Sequence, residues 1–474
     1  MKRKIDEVSS GEQSLHKIEK GAKKLVSKVL NATTLEFELL ERVNNFLKDN
    51  RDTEGIEALN NFKFVAKFLI EYTATLSDKD RLIYDILTCL ERVHEVNLSP
   101  MFPLVWGEKS KEHYENLENL GSTLHKIATS EILDYIDPSL MWRTVRFCSL
   151  PERKDIYDVR FILQLMANIE HVGTDIDCRK FIESNCLSVM FAATSHLDSD
   201  VRKLAYYSLQ KFLNILLQVQ ESEVEKNFPE RPIFVYILRQ FKQSFDDIGV
   251  RTVHIISHFL AKVCKLVLYP DNDVYTSVLS FLCLKPKIDL DTVPEFYKLL
   301  LSTSPEKYKV EREWVLGYLN EAILDSADYN TLQNRSGIKL LQGLFSSCIC
   351  DQTARKYILQ IFKACANIPS SAQDLFIRQN LHSWIVTAIN LPHLTRWERV
   401  FLAEIYIIVV TAIKDNLSNQ TNAITFKIQA DLTGTIICEV LKPLVEMEAR
   451  AQERIHAIEN LLNAEWVVNQ PASV

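Results

Sequence analysis

Glycine and proline, two residues that often end a helix, are scarce in this sequence. The 474 residues include 11 glycines and 14 prolines, and short leucine-rich segments alternate with polar breaks along the chain. Because this pattern is typical of packed helices, the chain is predicted to be nearly all helix. Its length allows about two to four compact domains or one continuous solenoid, and the composition favours the solenoid.

Paired metal-binding cysteines, a signal peptide and a membrane-spanning run are also lacking. The 10 cysteines lie in apolar helical segments without any CxxC, a pattern of reduced, buried thiols inside cells. Cys348 and Cys350 form the only close pair, with a spacing that suits neither a zinc site nor a redox motif. No apolar run follows the basic residues 1–4, and the longest apolar run, 405–410, is too short to span a membrane. A soluble protein of the cytosol or nucleus is therefore predicted.

Motifs that carry common enzyme chemistry are absent from the sequence. There is no GxGxxG, no GxxxxGK[ST] and no GxSxG, which removes the usual phosphate loops and the serine-hydrolase elbow. Carboxylate pairs fall in connectors, where they act as helix caps and turn formers. The sequence therefore predicts a protein that is not an enzyme, with no cofactor and no small-molecule substrate.

One histidine pair has the spacing of a metal site. His254 and His258 lie one helical turn apart, but the glutamate of an HExxH motif is missing. Arg251, Lys262 and Lys265 fall on the same predicted helix face, where cations oppose a divalent metal and favour an anion. Three interpretations stay open, in this order of preference: a solvated basic face, a phosphate contact and a metal site.

The overall charge gives no field that would attract nucleic acid. There are 55 basic and 62 acidic residues, for a formal net charge of −7, so any RNA contact must come from local patches. Lys285 and Lys287 flank Pro286 in a connector that can present them outward, although nearby carboxylates balance their charge. The candidate RNA or partner contacts are Arg251, His254, His258, Lys262, Lys265, Lys285 and Lys287.

Residues 278–324 form the most distinctive stretch of the chain. Pro286, Pro294 and Pro305 each remove a backbone donor, so helix is predicted to stop at 284 and to restart at 293–301 and 310–324.

The run 405–410 is predicted to be buried helix rather than strand. The predicted divisions are a disordered lead (1–30), N-terminal helical repeats (31–150), a solenoid region (151–394) and terminal capping helices (395–474).

Two short patterns recur along the chain. The sequence FIESN at 181–185 returns as FIRQN at 376–380, and Val-Arg-Lys at 201–203 returns as Ala-Arg-Lys at 354–356. Residues 198–217 have the layout of the second helix of an armadillo or HEAT unit, whose apolar faces neighbouring units must cover. An α-solenoid of armadillo/HEAT-like helical repeats is therefore predicted.

Several runs carry a family resemblance, clearest in the middle of the chain. They are FLCLKPKIDLDTVPEFYKLL (281–300) with a serine-rich sequel, EREWVLGYL (311–319), IYDVRFILQLM (156–166) and DCRKFIESNCLSVMFAA (177–193). With fainter matches, the resemblance covers about residues 76–390. The chain resembles the C-terminal region of the nucleolar pre-ribosomal-associated protein 1 family.

The resemblance implies a function that composition and spacing do not. Members are large nucleolar helical-repeat proteins of early large-subunit ribosome assembly, several-fold longer than this chain, so a short, split or incomplete form is expected. The implied role is a non-catalytic scaffold or assembly factor in ribosome biogenesis, in the nucleus and nucleolus. It would act on pre-60S particles and rRNA processing, with pre-rRNA and large-subunit assembly factors as partners and no membrane. The alternative is a generic α-solenoid protein-interaction adaptor, for example in nuclear transport or trafficking.

Overall fold

The computed structural model describes residues 2–51, 56–98, 105–120, 129–150, 153–172, 177–218, 228–245, 249–416, 420–464 and 466. Helices supply the regular structure of these ranges, which contain no strand beyond an isolated bridge between Thr75 and Tyr157. The all-α prediction is confirmed. None of the described helices combines the length and the hydrophobicity needed to cross a membrane.

The chain folds as two compact units. The first comprises Met1–Arg239 with Asp247–Arg251, and the second comprises Gln240–Asp246 with Thr252–Val474. The first unit contains α1 (Lys2–Asn31), α2 (Phe37–Asp49), α3 (Phe62–Glu71), α4 (Asp78–Arg92), α5 (Lys111–Leu120), α6 (Thr129–Ile132), α7 (Pro138–Phe147), α8 (Val159–Val172), α9 (Cys178–Glu183), α10 (Cys186–Ala193), α11 (Ser199–Gln218) and most of α12 (Arg231–Gln243).

The second unit is a similar succession of helices. It contains α13 (His254–Val267), α14 (Tyr275–Leu284), α15 (Phe296–Leu300), α16 (Tyr308–Ala322), α17 (Ser326–Gln333), α18 (Gly337–Phe345), α19 (Gln352–Ala366), α20 (Pro369–Ile377), α21 (Leu381–Ile389), α22 (Arg396–Asp415), α23 (Gln420–Leu441) and α24 (Ala449–Asn463). The predicted domain divisions at 31, 151 and 395 are not tested by this structure and stay predictions.

The start of the chain is helical in the structure. Residues 2–31 form helix α1, whereas a disordered lead is predicted for residues 1–30, and that division stays a prediction. Ala22, Val26 and Val29 of this helix are buried, so its last turns contribute to the core of the first unit. The many lysines and glutamates of this segment suggested disorder, yet a single apolar stripe is enough to hold an amphipathic helix against a core.

Helix α11 lies in the core of the first unit. This helix packs on α8 and α10, and the ring of Phe212 stacks on that of Phe181 with centroids 4.9 Å apart. The predicted apolar stripe of this helix is confirmed, since Val201, Ala205 and Leu213 are all buried.

In the core of the second unit, α22 packs on α19, α20 and α24, and α19 also packs on α16. Residues 405–410 lie in α22 and are mostly buried, so the prediction of helix rather than strand is confirmed. Side chains cap these helices: Asp351 accepts from Ala354 N at 2.8 Å, and Thr395 and Glu398 form a capping box at the start of α22.

Left-handed residues divide helices that the apolar pattern had predicted to be continuous. The apolar pattern of residues 372–389 predicts one helix, but the structure has two, α20 and α21, because Asn380 lies at φ 50° and ψ 40°. The apolar pattern of residues 332–345 also predicts one helix, but Arg335 and Ser336 interrupt it before α18 begins at Gly337. A left-handed residue also precedes α10, at Asn185, and α15, at Glu295. Such a residue turns the chain sharply without a loop, which periodicity alone does not reveal.

The prolines of the connector interrupt the helical structure as predicted. Helix α14 ends at Leu284, and the chain is helical again in α15 and α16. Contacts within the second unit fix the connector: Ile288 N donates to Ser244 Oγ at 2.8 Å, and Gln240 Nε2 donates to the Leu282 carbonyl at 2.6 Å. The side chains of Lys285 and Lys287 point outward and are exposed, as expected.

Candidate functional site

Helix α13 does not present the solvated basic face that its sequence suggested. His254 and His258 are 1% and 0% exposed, and their rings stack with centroids 5.5 Å apart. The ring of His258 also lies parallel to that of Tyr318 on α16, at 6.3 Å. The predicted exposure is wrong for both histidines because α13 is apolar on nearly every side, and such a helix is buried all round.

Glu321 on α16 contacts His258 and Lys262 of α13. Its Oε2 lies 3.2 Å from Nε2 of His258 and 3.0 Å from Nζ of Lys262. Burial acts to raise the pKa of Glu321, but hydrogen bonds from His258 and Lys262 and the ammonium charge outweigh it, so the pKa falls to about 2. The carboxylate is thus ionised at neutral pH and holds Lys262, whose side chain is only 20% exposed.

The N-terminus of α13 is occupied by a carboxylate of the same chain. Asp328 Oδ1 accepts from Ile255 N at 3.0 Å, while Oδ2 accepts from the backbone of Leu324 and Asp325 at 3.0 and 3.1 Å. Burial, with a smaller contribution from Asp325, raises the pKa of Asp328 to about 7. A helix N-terminus is an anion site, and here an internal side chain fills the position that a bound phosphate would take.

The other candidates have different surroundings. In the first unit, Arg251 is half-buried and its Nε donates to the carbonyl of Ser195 at 2.8 Å. In the second unit, Lys265 is exposed on α13, while Lys285 and Lys287 are exposed in the connector. The structure therefore joins His254, His258 and Lys262 to Glu321 in one packed group. Contact with RNA or a partner stays a prediction, and exposure favours the three lysines 265, 285 and 287.

The described residues show no site with metal chemistry. Across those ranges, no group of three or more histidine, cysteine, aspartate or glutamate side chains could hold a metal ion. The Glu321 carboxylate beside His258 is already paired with the ammonium of Lys262, which would repel a cation. The cysteines with described side chains are free thiols, and all but Cys348 are buried.

Sequence analysis missed a recurring arginine near the start of the longer helices. Arg202 Nη1 donates to the carbonyls of His196 and Leu197, at 2.9 and 2.7 Å, in the loop before α11. Three other arginines donate in the same way to a carbonyl before their own helix: Arg312 to Leu300 at 3.3 Å, Arg355 to Cys350 at 2.9 Å and Arg399 to Leu391 at 3.2 Å. The recurrence of Val-Arg-Lys as Ala-Arg-Lys was the signal available, because it aligns Arg202 with Arg355.

Two open grooves lie in the second unit. One, of about 660 Å³, runs between α17 and α20 and is lined mainly by hydroxyl and amide groups, among them Ser326, Asn330, Gln333, Ser370 and Gln373. The other, of about 630 Å³, lies between the residues before α16 and those before α19. It is lined by Ser302, Thr303, Ser304, Pro305, Tyr308, Lys309, Arg312, Cys348, Ile349, Cys350 and Asp351.

Comparison with known proteins finds similarity to a family of nucleolar proteins. A family model described as nucleolar pre-ribosomal-associated protein 1 matches residues 187–384. The mouse protein of that name is 27% identical over 344 residues and the human one 28% identical over 342, each match covering 68% of this chain. Each match spans about 15% of the relative's own length. A solved engineered protein is 14% identical and covers 94% of this chain and 99% of its own, but its TM-score of 0.30 supports no statement about the fold.

The family model includes two of the runs on which the resemblance was stated, 281–300 and 311–319, and the end of a third, 177–193. The family model covers the stretch from α10 to α21, which contains the proline-rich connector and the EREWVLGYL run. The printed name describes both relatives as nucleolar, which confirms the predicted nuclear and nucleolar localisation. The resemblance of this chain to the nucleolar pre-ribosomal-associated protein 1 family is confirmed.

Proposed function

We propose that this chain is a scaffold or assembly factor in ribosome biogenesis that associates with early large-subunit pre-ribosomal particles in the nucleolus. The observation that carries the proposal is the match to two proteins named as pre-ribosomal-associated, over 68% of the chain. Its partners would be pre-rRNA and large-subunit assembly factors, and its action would support pre-rRNA processing. The match covers a small part of each relative, so these partners are proposed for the region that this chain represents.

The proposed form of the scaffold is an armadillo/HEAT-like solenoid. In the second unit the left-handed residues Glu295, Ser336 and Asn380 follow one another at spacings of 41 and 44 residues. Repeats of this class are about 40–47 residues long, so the spacing supports the proposal. Each of these residues is followed by a short helix, a loop and a longer helix with an arginine near its start. The same sequence of features is present in the first unit at Asn185 and Arg202.

We further propose that the chain acts without catalysis, through exposed faces rather than through a pocket. The buried ionisable groups described above are engaged in helix packing: Glu321 binds Lys262, and Asp328 accepts backbone hydrogen bonds. The proposed contact residues are the exposed Lys285 and Lys287 in the connector. Lys262 is a weaker candidate than its sequence suggested, because its ammonium already pairs with a carboxylate.

Affinity purification of the tagged chain tests this proposal. RNA sequencing and mass spectrometry of the purified material should recover large-subunit pre-rRNA with its assembly factors, and the chain should co-sediment with these particles in sucrose gradients. If the chain instead sediments alone and co-purifies with transport or trafficking proteins, the ribosome proposal is wrong and the generic adaptor takes its place.

Charge reversal tests the proposed contact residues within the same assay. We expect the double variant Lys285→Glu/Lys287→Glu to leave the particle fractions. The matched control is Lys339→Glu/Lys356→Glu, which changes the net charge equally at two exposed helix positions of the same unit. If both double variants sediment like the parent, the connector is only solvent-exposed surface.

A further inference from the structure

The residues before α16 form an exposed serine-rich segment with a distinctive motif. Ser304 is followed by Pro305, Glu306 and Lys307, so a serine-proline dipeptide has a lysine three positions after the serine. Protein kinases of the proline-directed class act on serine or threonine that precedes proline, and many favour a basic residue at this third position. The other serine-proline dipeptide, Ser99-Pro100, has no lysine or arginine there.

The backbone around Ser304 can be reached by another protein. Residues 302–304 have no regular structure, and 305–307 form a turn that leads into α16. Thr303, Pro305 and Lys307 are exposed, while Ser304 is half-exposed. The backbone makes few contacts there: Ser304 N donates to Ser302 Oγ at 3.2 Å, and the Ser304 carbonyl accepts from Tyr308 N at 3.3 Å. Such a segment can open locally without unfolding a helix.

The charges around this segment would favour a phosphate in the groove that Ser304 lines. Lys309 lines the same groove and is exposed, and Lys307 pairs with Asp273 only through an exposed contact of 3.5 Å. Arg312 also lines it, although its guanidinium already donates to two carbonyls. Two carboxylates oppose these cations, Glu306 beside the serine and Asp351 across the groove. The N-terminal end of α16, which follows this segment, adds a favourable dipole for an anion.

We propose that Ser304 is a phosphorylation site for a proline-directed serine/threonine protein kinase. In the reaction, Ser304 Oγ attacks the γ-phosphorus of ATP, the bond between that phosphorus and the oxygen of ADP breaks, and the hydroxyl proton passes to the kinase. The product carries a phosphate of about −1.5 to −2 charge beside Lys309 and the start of α16. This site stands independently of the role proposed above, since it rests on the motif and the local geometry.

The experiment uses the purified, folded full-length chain with ATP and a cyclin-dependent kinase. Intact mass spectrometry should show one added phosphate, and peptide mass spectrometry should place it on Ser304. Incorporation should be lost in Ser304→Ala and strongly reduced in Pro305→Ala, which keeps the hydroxyl. The matched controls Thr303→Ala and Ser99→Ala should be phosphorylated like the parent. Far-ultraviolet circular dichroism of the variants at Thr303, Ser304 and Pro305 should match that of the parent, because these residues lie outside the helices.

A second measurement tests the predicted surroundings of the phosphate. Tryptic cleavage after Lys307 and Lys309 should be several-fold slower in the phosphorylated chain, because the phosphate draws both ammonium groups into ion pairs. The proposal is overturned if incorporation survives Ser304→Ala, or if Ser304 is phosphorylated only after the chain has been denatured. Unchanged tryptic cleavage at full phosphorylation would overturn the predicted pairing with the two lysines.

Discussion

Arg355 and Glu398 form an ion pair that is almost wholly buried in the second unit. Arg355 Nε donates to Glu398 Oε1 at 2.8 Å, and the side chains are 9% and 0% exposed. Removing one partner leaves a buried charge without compensation, so Arg355→Met should lower the free energy of unfolding by about 3–5 kcal/mol. Urea denaturation followed by circular dichroism would measure this loss.

A double variant separates the pair from its surroundings. Arg355→Met/Glu398→Leu removes both charges, and much of the loss should be recovered because neither charge is then left alone. Recovery should fall short by about 1 kcal/mol, since Glu398 Oε2 also accepts from Thr395 N at 2.7 Å in the capping box. A double variant as unstable as Arg355→Met alone would contradict the uncompensated-charge explanation.

Glu321 should make stability depend on pH in the acid range. Its pKa is about 2 in the folded protein, against 4.5 for an unperturbed glutamate, so the unfolded chain takes up its proton first as pH falls. The stabilisation is therefore complete well above pH 4.5 and is lost as pH falls toward 2. At pH 6, Glu321→Gln should cost up to about 3 kcal/mol.

Denaturation at two pH values provides the test. The difference in unfolding free energy between the parent and Glu321→Gln should be about half as large at pH 3 as at pH 6. Glu306→Gln is the control, because that carboxylate is exposed beside the same helix and its replacement should change little at either pH. A difference that stays constant between the two pH values would show that Glu321 stabilises by packing alone.

At the scale of the helix, two glycines should respond to alanine in opposite directions. A Cβ at Gly434 in α23 would lie 3.0 Å from Leu462 Cδ2 and from Tyr406 Oη, so Gly434→Ala should cost about 1–3 kcal/mol by overpacking. Gly343 in α18 has nothing within 4 Å of the added methyl group, so Gly343→Ala should stabilise by about 0.5–1 kcal/mol. Thermal unfolding of both variants measures the signs, and the same sign in both would contradict this packing.

The left-handed junctions give a second test at this scale. Asn380 is exposed at φ 50°, so Asn380→Gly should not destabilise the chain, whereas Asn380→Val should cost about 1–2 kcal/mol. Asn185 is the matched junction, but its Nδ2 donates to the Pro138 carbonyl at 3.0 Å, so Asn185→Gly should lose about 1 kcal/mol. Equal effects of glycine at both positions would show that only backbone conformation matters there.

The helices themselves could be predicted from the sequence, and the bends between them could not. Apolar periodicity predicts helices over 198–217, 354–366 and 396–413, within a few residues of α11, α19 and α22, because each has a core-facing stripe. It joined α20 to α21, since a single left-handed Asn380 leaves the apolar pattern unbroken. The recurrence of FIESN as FIRQN did indicate this bend, because both asparagines are left-handed and each immediately precedes the next helix.

The candidate site was predicted less well than the fold. Basic side chains at positions 251, 254, 258, 262 and 265 share one face of an ideal helix, but the neighbours of that face are set by tertiary packing. Glu321 and Asp328, which neutralise or cap this region, follow α13 by more than 50 residues and cannot be paired with it from periodicity. The apolar run around the histidines was the available signal, because a helix with few polar positions is buried on all sides.

For the whole molecule, the net charge of −7 sets a limit on how it can bind RNA. Such a chain is repelled by phosphates at long range, so its affinity for naked RNA should be weak, about 10⁻⁶ M or weaker at physiological salt. Binding through a local patch is still steeply salt-dependent, because each phosphate contact releases counterions. We expect fluorescence anisotropy with a single-stranded RNA to show a log Kd that rises linearly with log salt concentration.

Charge reversal then identifies which patch makes the contacts. Lys285→Glu/Lys287→Glu should weaken binding and lower the salt slope by about one unit for each phosphate contact that is lost. Lys339→Glu/Lys356→Glu changes the net charge equally, so it should weaken binding only through the long-range field and leave the slope unchanged. If the two double variants have the same slope, the connector makes no phosphate contacts. The proposed association with pre-ribosomal particles would then have to be carried by protein partners.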